Sequence, residues 1–160
     1  MYEEYTLRIF LSKTYGIEDC TFYHPLTDNS ANNHITNSGM TYSYSSSGLA
    51  VTNGNWGGIW LNYTLPTDCT VEMDLTVSGS NSPKFYCGLV SEISTDNDQI
   101  EFSSNSDGAF KIEKEGTSVK QYLDTTLVST LSYSQSTAYW KCWTGGTRKF
   151  TIKNLKVKPL

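Results

Sequence analysis

Residues 70–77 read TVEMDLTV, in which Val71, Met73, Leu75 and Val77 alternate with Thr70, Glu72, Asp74 and Thr76. A period of two puts the four apolar side chains on one side of an extended chain and the four polar ones on the other, so this is a strand with one buried and one wet face. Residues 58–65 repeat the pattern, with Ile59, Leu61, Tyr63 and Leu65 on one side and Trp60, Asn62 and Thr64 on the other. That strand is expected to run to Pro66, which cannot donate to a ladder. Phe85, Cys87 and Leu89 make a third. Ile100 and Phe102 are expected to pair with Phe110 and Ile112 as a hairpin across residues 105–108 (NSDG), where Asp-Gly supplies left-handed turn positions. Glu115-Gly116 turns the chain toward Val119 and Tyr122, and Tyr139, Lys141 and Trp143 alternate with Trp140 and Cys142 before Gly145-Gly146 opens a last strand over 148–157.

In that last strand Phe150 and Ile152 keep one phase while Leu155 and Val157 take the other. A slip of one residue restores a single inward face, which predicts a β-bulge at Asn154. No segment of ten or more residues keeps apolar positions at helical spacing. Short strands separated by Gly, Ser, Asn and Asp therefore point to an all-β sandwich or barrel. Two segments do not read as regular strands. Residues 24–39 (HPLTDNSANNHITNSG) carry only Leu26 and Ile35 as large apolar side chains and are expected to form a long surface loop. Residues 1–16, with Leu7, Ile9 and Leu11 in strand phase, are expected to be an edge strand or a joint to a neighbouring chain, leaving 17–160 as the domain.

Composition agrees with this reading. The 160 residues include 20 Ser, 20 Thr and 11 Asn against 4 Ala, and 4 Trp, 11 Tyr and 6 Phe are too much aromatic surface for a disordered chain. The net charge is −4 with no cluster of Lys or Arg, which gives no electrostatic footprint for nucleic acid. No stretch approaches the roughly 20 apolar residues that span a bilayer. Residues 1–10 lack the basic and apolar segments of a signal peptide.

Cys20, Cys69, Cys87 and Cys142 form no CxxC pair, which argues against a zinc knuckle or a redox motif. They read as small buried hydrophobes on strands, with two disulfides as the open alternative. The only histidines, His24 and His34, lie in the polar loop without a nucleophile signature. Residues 94–101 (STDNDQIE) offer Asp96, Asn97, Asp98 and Glu101 as oxygen ligands, but the spacing matches no dedicated calcium cage, so neither a metal nor any other cofactor is expected.

The runs EDCTFYHPLTD (18–28), GLAVTNG (48–54), TVEMDLTVSG (70–79), FYCGLV (85–90) and FTIKNLKVKPL (150–160) together resemble the concanavalin A-like, or laminin G-like, jelly-roll sandwich of two antiparallel sheets. The resemblance covers about residues 17–160, and its motifs are structural, not catalytic. It implies a final strand returning beside the first. It also implies a non-catalytic module of the kind that binds carbohydrate in lectins and glycanase-attached modules, or that occurs in bacteriophage and archaeal-virus tail proteins and on microbial surfaces. Some glucanases of this superfamily carry E-x-D-x-x-E or E-x-D-x-E on one strand. Here Glu72 and Asp74 match the first two acids, but Thr76 and Val77 stand where the acid/base would be, so no catalytic residue is assigned.

The aromatics carry the binding expectation. Trp56 lies in GNWGG (54–58), where a tryptophan in a glycine-rich turn can present its flat face to a sugar ring while Asn55 meets hydroxyls. Trp60 is out of phase with the apolar side of its strand, and Tyr42 and Tyr44 share a face two residues apart. Asn55, Trp56, Trp60, Tyr42 and Tyr44 are therefore the candidate ligand-binding residues. The expected partner is a glycan or host cell-surface polysaccharide, bound weakly per site and compensated by a homo-oligomer or a larger assembly displayed on a virion or cell surface. Two other readings stay open: a purely structural virion or surface protein whose aromatics lie between subunits, and a laminarinase-type glycoside hydrolase.

Overall fold

The computed structural model describes residues 19–53, 57–78, 85–93, 106–145 and 148–160, and the backbone alone of 100–104. Its strands are β1 (Phe22–His24), β2 (Ile35–Ser38), β3 (Thr41–Ser45), β4 (Gly48–Asn53), β5 (Gly58–Leu61), β6 (Cys69–Ser78), β7 (Phe85–Val90), β8 (Ile100–Ser104), β9 (Gly108–Glu115), β10 (Ser118–Leu123), β11 (Thr126–Ser132), β12 (Tyr139–Thr144) and β13 (Lys149–Pro159). A short 3-10 turn, Asn29–Asn33, is capped by Asp28, whose side chain accepts from the Ser30 N–H.

Two antiparallel sheets form. One has eight strands in the order β11-β10-β9-β6-β13-β4-β3, with β1 also on β13, and the other has five in the order β2-β5-β12-β7-β8. β1 and β4 lie on the same edge of β13, β1 along Leu155 to Val157 and β4 along Phe150 to Ile152. The return of the last strand beside the first is thus present. The alternation on β6 holds: Val71, Met73 and Leu75 are buried, and Glu72, Asp74 and Thr76 face outward. Val71, Met73, Leu75, Phe110, Ile112, Phe150, Ile152, Leu155 and Val157 meet Ile59, Leu61, Phe85, Cys87, Leu89, Trp140 and Cys142 of the five-stranded sheet in one core. Phe85 and Phe150 cross the interface edge to face, with centroids 4.8 Å apart.

The bulge on the last strand is where the phase slip requires it. The register between β13 and β6 shifts between Lys153 and Lys156, and Asn154 has φ of 56°. That slip lets Phe150, Ile152, Leu155 and Val157 all point inward.

Three expectations need correction, and one strand was missed. β8 and β9 are not a hairpin: β8 pairs with β7 in the five-stranded sheet and β9 with β6 and β10 in the other. Alternation fixes which face of a strand meets the core but not which sheet it joins, and the chain changes sheet from β8 to β9. The strand that starts at Gly58 ends at Leu61, not at Pro66; Leu65 is still buried, but its N–H bonds Ala138 O across a loop. Residues 24–39 are not a single loop, since they hold the capped turn and β2. β11 was not foreseen, because an edge strand with Leu127 half exposed shows little apolar alternation. Residues 1–16 lie outside the described residues.

All four cysteines are thiols: Cys69, Cys87 and Cys142 are buried and Cys20 is half-buried. The small-hydrophobe reading holds for three of them. Cys87 and Cys142 sit opposite each other on β7 and β12, and Trp140 Nε1 donates to Cys87 Sγ at 3.0 Å. Burial pushes the Cys87 and Cys142 thiols well above their ordinary range and Cys69 up to about 11.

Candidate functional site

The outward positions at the centre of the eight-stranded sheet form one cross-strand row. Register sets Tyr122 of β10 opposite Lys111 of β9, Lys111 opposite Glu72 of β6, Glu72 opposite Lys156 of β13, and Lys156 opposite Tyr23 of β1. With neighbouring strands about 4.8 Å apart, the row runs roughly 19 Å from one tyrosine to the other. Glu72, Asp74, Lys111, Asp124, Asn154 and Lys156 line an open groove of about 340 Å³ across its middle. That volume falls within the range of small-ligand clefts.

The bulge builds one wall of this groove. An asparagine tolerates the left-handed conformation that the slip imposes at 154, and its side chain is turned outward. Asn154 Nδ2 donates to Asp74 Oδ2 at 2.6 Å, and Tyr23 Oη donates to Asn154 Oδ1 at 3.2 Å. On the other side Lys111 Nζ lies 4.2 Å from the Tyr122 ring centroid and 3.1 Å from Glu113. The hydrogen bond from Lys111, with Lys120 also nearby, holds the Glu113 carboxyl below the usual range. Glu72 reaches Lys158 at 3.8 Å. Asp124 Oδ1 accepts from the Ala109 N–H at 2.9 Å. Lys156 Nζ has neither an ion pair nor a hydrogen bond among the described residues.

Two tyrosines thus stand at the ends of a strip of carboxylates, amines and one amide. Such a strip can hold a ligand rich in hydroxyl groups, because carboxylate and amide oxygens accept while ammonium and amide N–H groups donate. The β6 positions after Asp74 carry Thr76, which is exposed, and Val77, which packs against the core.

Of the residues named from sequence, Asn55 and Trp56 lie outside the described residues. Their flanks are fixed: Asn53 pairs with Thr41, and Gly57 packs so closely on Ser38 that a Cβ there would come 2.1 Å from the carbonyl oxygen. Trp60 lies on the outer face of the five-stranded sheet, where Lys141 Nζ sits 4.9 Å from its ring and 4.5 Å from that of Trp143, and Trp143 stacks on Tyr86 at 5.6 Å. Trp60, Lys141 and Trp143 are only 4%, 3% and 8% exposed, so their rings are no open platform. Burial pulls the Lys141 ammonium down to about 8. Tyr42 and Tyr44 do come together, edge to face at 5.6 Å, with both hydroxyls bonded to Asn32 Oδ1. They are half-buried against the core, on the opposite sheet from Trp60.

Sequence reading did not single out Tyr23, Lys111, Tyr122, Asn154 or Lys156 as ligand-facing. Two signals pointed there: the outward phase of Glu72 and Asp74, and the bulge.

No family model and no curated protein sequence matches this chain. Solved structures do match in fold. The carbohydrate binding module CBM66 from Bacillus subtilis aligns over 78% of this chain and 95% of its own at 16% identity, with a TM-score of 0.59. A Bacillus subtilis protein of unknown function with a galectin-like fold aligns over 88% and 96% at 10% identity and a TM-score of 0.67. The Crh5 transglycosylase in complex with NAG aligns over 86% and 83% at 11% identity and 0.64. The fold is that of the concanavalin A-like sandwich, which binding modules and enzymes share.

Proposed function

We propose that this protein is a non-catalytic carbohydrate-binding module whose principal contact surface is the groove over β6, β9 and β13. The reading is carried by the row Tyr122, Lys111, Glu72, Lys156 and Tyr23, with Asp74 and Asn154 beside it. Paired polar groups between two tyrosines offer hydroxyl contacts in the middle and stacking surfaces at the ends, the two interactions a saccharide uses most. The fold supports it, since CBM66 is a carbohydrate binding module of the same architecture. The expected setting is a phage, virion or microbial surface assembly, in which weak single-site affinity is raised by repeated display. Asn55 and Trp56 remain part of the proposal as a second contact on the loop between β4 and β5.

The test is a broad glycan and microbial cell-wall binding screen with the wild type beside Tyr122→Ala, Asp74→Ala and Trp56→Ala. Selective binding is expected, weakened about tenfold by loss of one stacking ring. If Trp56→Ala alone abolishes binding, the site moves from the groove to the loop. If no glycan binds, the recognition reading fails. A structural role then gains, and one observation already favours it: β11 ends the eight-stranded sheet with Leu127 50% and Val128 42% exposed, an edge suited to strand pairing between subunits. Release of reducing ends from β-glucans that disappears in Glu72→Gln would instead establish the hydrolase.

A further inference from the structure

At one end of the sandwich, away from the groove, a second cleft of about 370 Å³ opens between three connections: residues 65–67 before β6, the turn at Gly116 and Thr117 between β9 and β10, and residues 133–138 between β11 and β12. Lys114 belongs to its lining. On β9 it follows Phe110 and Ile112 in the inward phase, so the strand drives a lysine stem toward the core at its last inward position. The residue is only 5% exposed. Its ammonium donates to Thr67 O at 2.6 Å and to Gly116 O at 2.9 Å. An ammonium has three N–H donors, and these two carbonyls engage two of them.

Among the described residues the cation has no counter-charge: no carboxylate there lies within 4 Å of Lys114 Nζ, and the acidic groups nearby are engaged elsewhere or turned away. Asp68 Oδ1 accepts from the Gly116 N–H at 2.7 Å, Glu113 on the outer face is shared by Lys111 and Lys120, and Glu115 is exposed. Burying an ion costs several kcal/mol after relaxation, and buried charges are accordingly paired, or hydrogen-bonded with a partner of opposite sign. Two carbonyls satisfy donors but leave the charge uncompensated. Around the cleft stand the hydroxyls of Thr117 and Ser136 and the amide of Gln135, with Leu65, Pro66 and Ala138 as an apolar side. Leu65 is fixed there by its N–H to Ala138 O.

We propose that this end cleft is a binding site for an oxyanion, a carboxylate or phosphate group carried on a small ligand, with Lys114 as its charge partner and the cleft hydroxyls as neutral donors. The net charge of −4, with Asp68 and Glu115 close by, opposes long-range attraction of such a ligand. Recognition therefore depends on the desolvated contact at Lys114 and not on steering. The proposal does not rest on the carbohydrate groove, since the two clefts share no residue.

The experiment is a two-dimensional amide NMR titration of the full chain with acetate, inorganic phosphate, glucuronate and, as the neutral control, glucose, at constant ionic strength. Saturable shifts are expected at Gly116, Thr117, Ser136 and Ala138 with at least one of the three anions and not with glucose. They should vanish in Lys114→Met and persist in Lys111→Met, a lysine of the outer face. A response to phosphate alone identifies a phosphoryl ligand; a tighter response to glucuronate than to acetate identifies an acidic sugar. Because Lys114 also ties two loops together, Lys114→Met is checked for folding by its amide dispersion, and Thr117→Ala/Ser136→Ala, which leaves the tie intact, should weaken the same titration about threefold to tenfold. Absence of saturable shifts with all three anions, or shifts indifferent both to Lys114→Met and to the double variant, overturns the proposal and leaves Lys114 as a structural tie. Glycan binding in the groove without anion binding here, or the reverse, separates the fates of the two readings.

Discussion

Asn154 joins strand geometry to the groove through a single residue. With φ of 56° it occupies a conformation that costs most L-residues about 1–2 kcal/mol, and its amide links Asp74 to Tyr23. Asn154→Gly keeps the backbone and loses the two side-chain bonds, so it should destabilise by about 1 kcal/mol; Asn154→Val adds steric strain and should cost roughly 2–3 kcal/mol. Urea denaturation that ranks valine no worse than glycine would refute this assignment. Lys141 offers a second residue-scale test. The neighbouring indoles favour its charged form and burial opposes it; burial wins, placing the folded-state value at about 8 against 10.5 in an ordinary lysine. Between these values the unfolded chain holds a proton that the folded chain has released, so stability should rise with pH from about 8 to 10.5. The penalty is fully present below pH 8. Lys141→Met should flatten that rise and stabilise the protein near neutrality by on the order of 2 kcal/mol, the lost cation–π contacts offsetting part of the gain. A wild-type stability profile that falls over this interval relative to Lys141→Met would contradict it.

At the scale of the element, β13 and β6 form the spine of the larger sheet, and the bulge decides what the second half of β13 can bury. Deleting residue 154 removes the extra residue and leaves Leu155 opposite Met73 in strict period two, so Phe150, Ile152, Leu155 and Val157 all stay inward and only the outward amide of the bulge is lost. Circular dichroism and amide NMR should report a folded chain, and an unfolded or aggregated one would refute this reading of the slip. The bulge was legible because four apolar residues in two phases cannot share a face without it. The β8–β9 crossing was not legible, since its apolar positions are those of a hairpin and of a crossover alike. β5 was overread for a related reason: Leu65 is buried as its phase predicts, yet it is held by a loop hydrogen bond to Ala138, and burial does not require a strand.

The two sheets of the whole molecule differ in their outer faces. That of the larger sheet is wet and charged; that of the smaller carries Trp60, Lys141 and Trp143, all buried. The thiols test this packing globally. With Cys69, Cys87 and Cys142 buried and pushed upward, a thiol reagent should label only Cys20 quickly in the native protein and all four after denaturation. Reductant should leave the thermal midpoint unchanged. Fast native labelling of more than one thiol would show that the core opens readily.

Local sequence determined the strands with one wet face, the lack of long helices among the described residues, the inward phase of β6 and the slip at Asn154, because period-two alternation and phase are properties of consecutive residues. Tertiary structure decided which strands are neighbours. Tyr23, Glu72, Lys111, Tyr122 and Lys156 come from five strands spread along most of the chain, and only the pairing of β1, β13, β6, β9 and β10 sets them in one row. Lys114 likewise reads as one more charge on an alternating strand until three distant loops close over it. Alternation tells each side chain whether it faces the core; pairing across large sequence separations, fixed by packing of the two sheets, tells it what stands beside it.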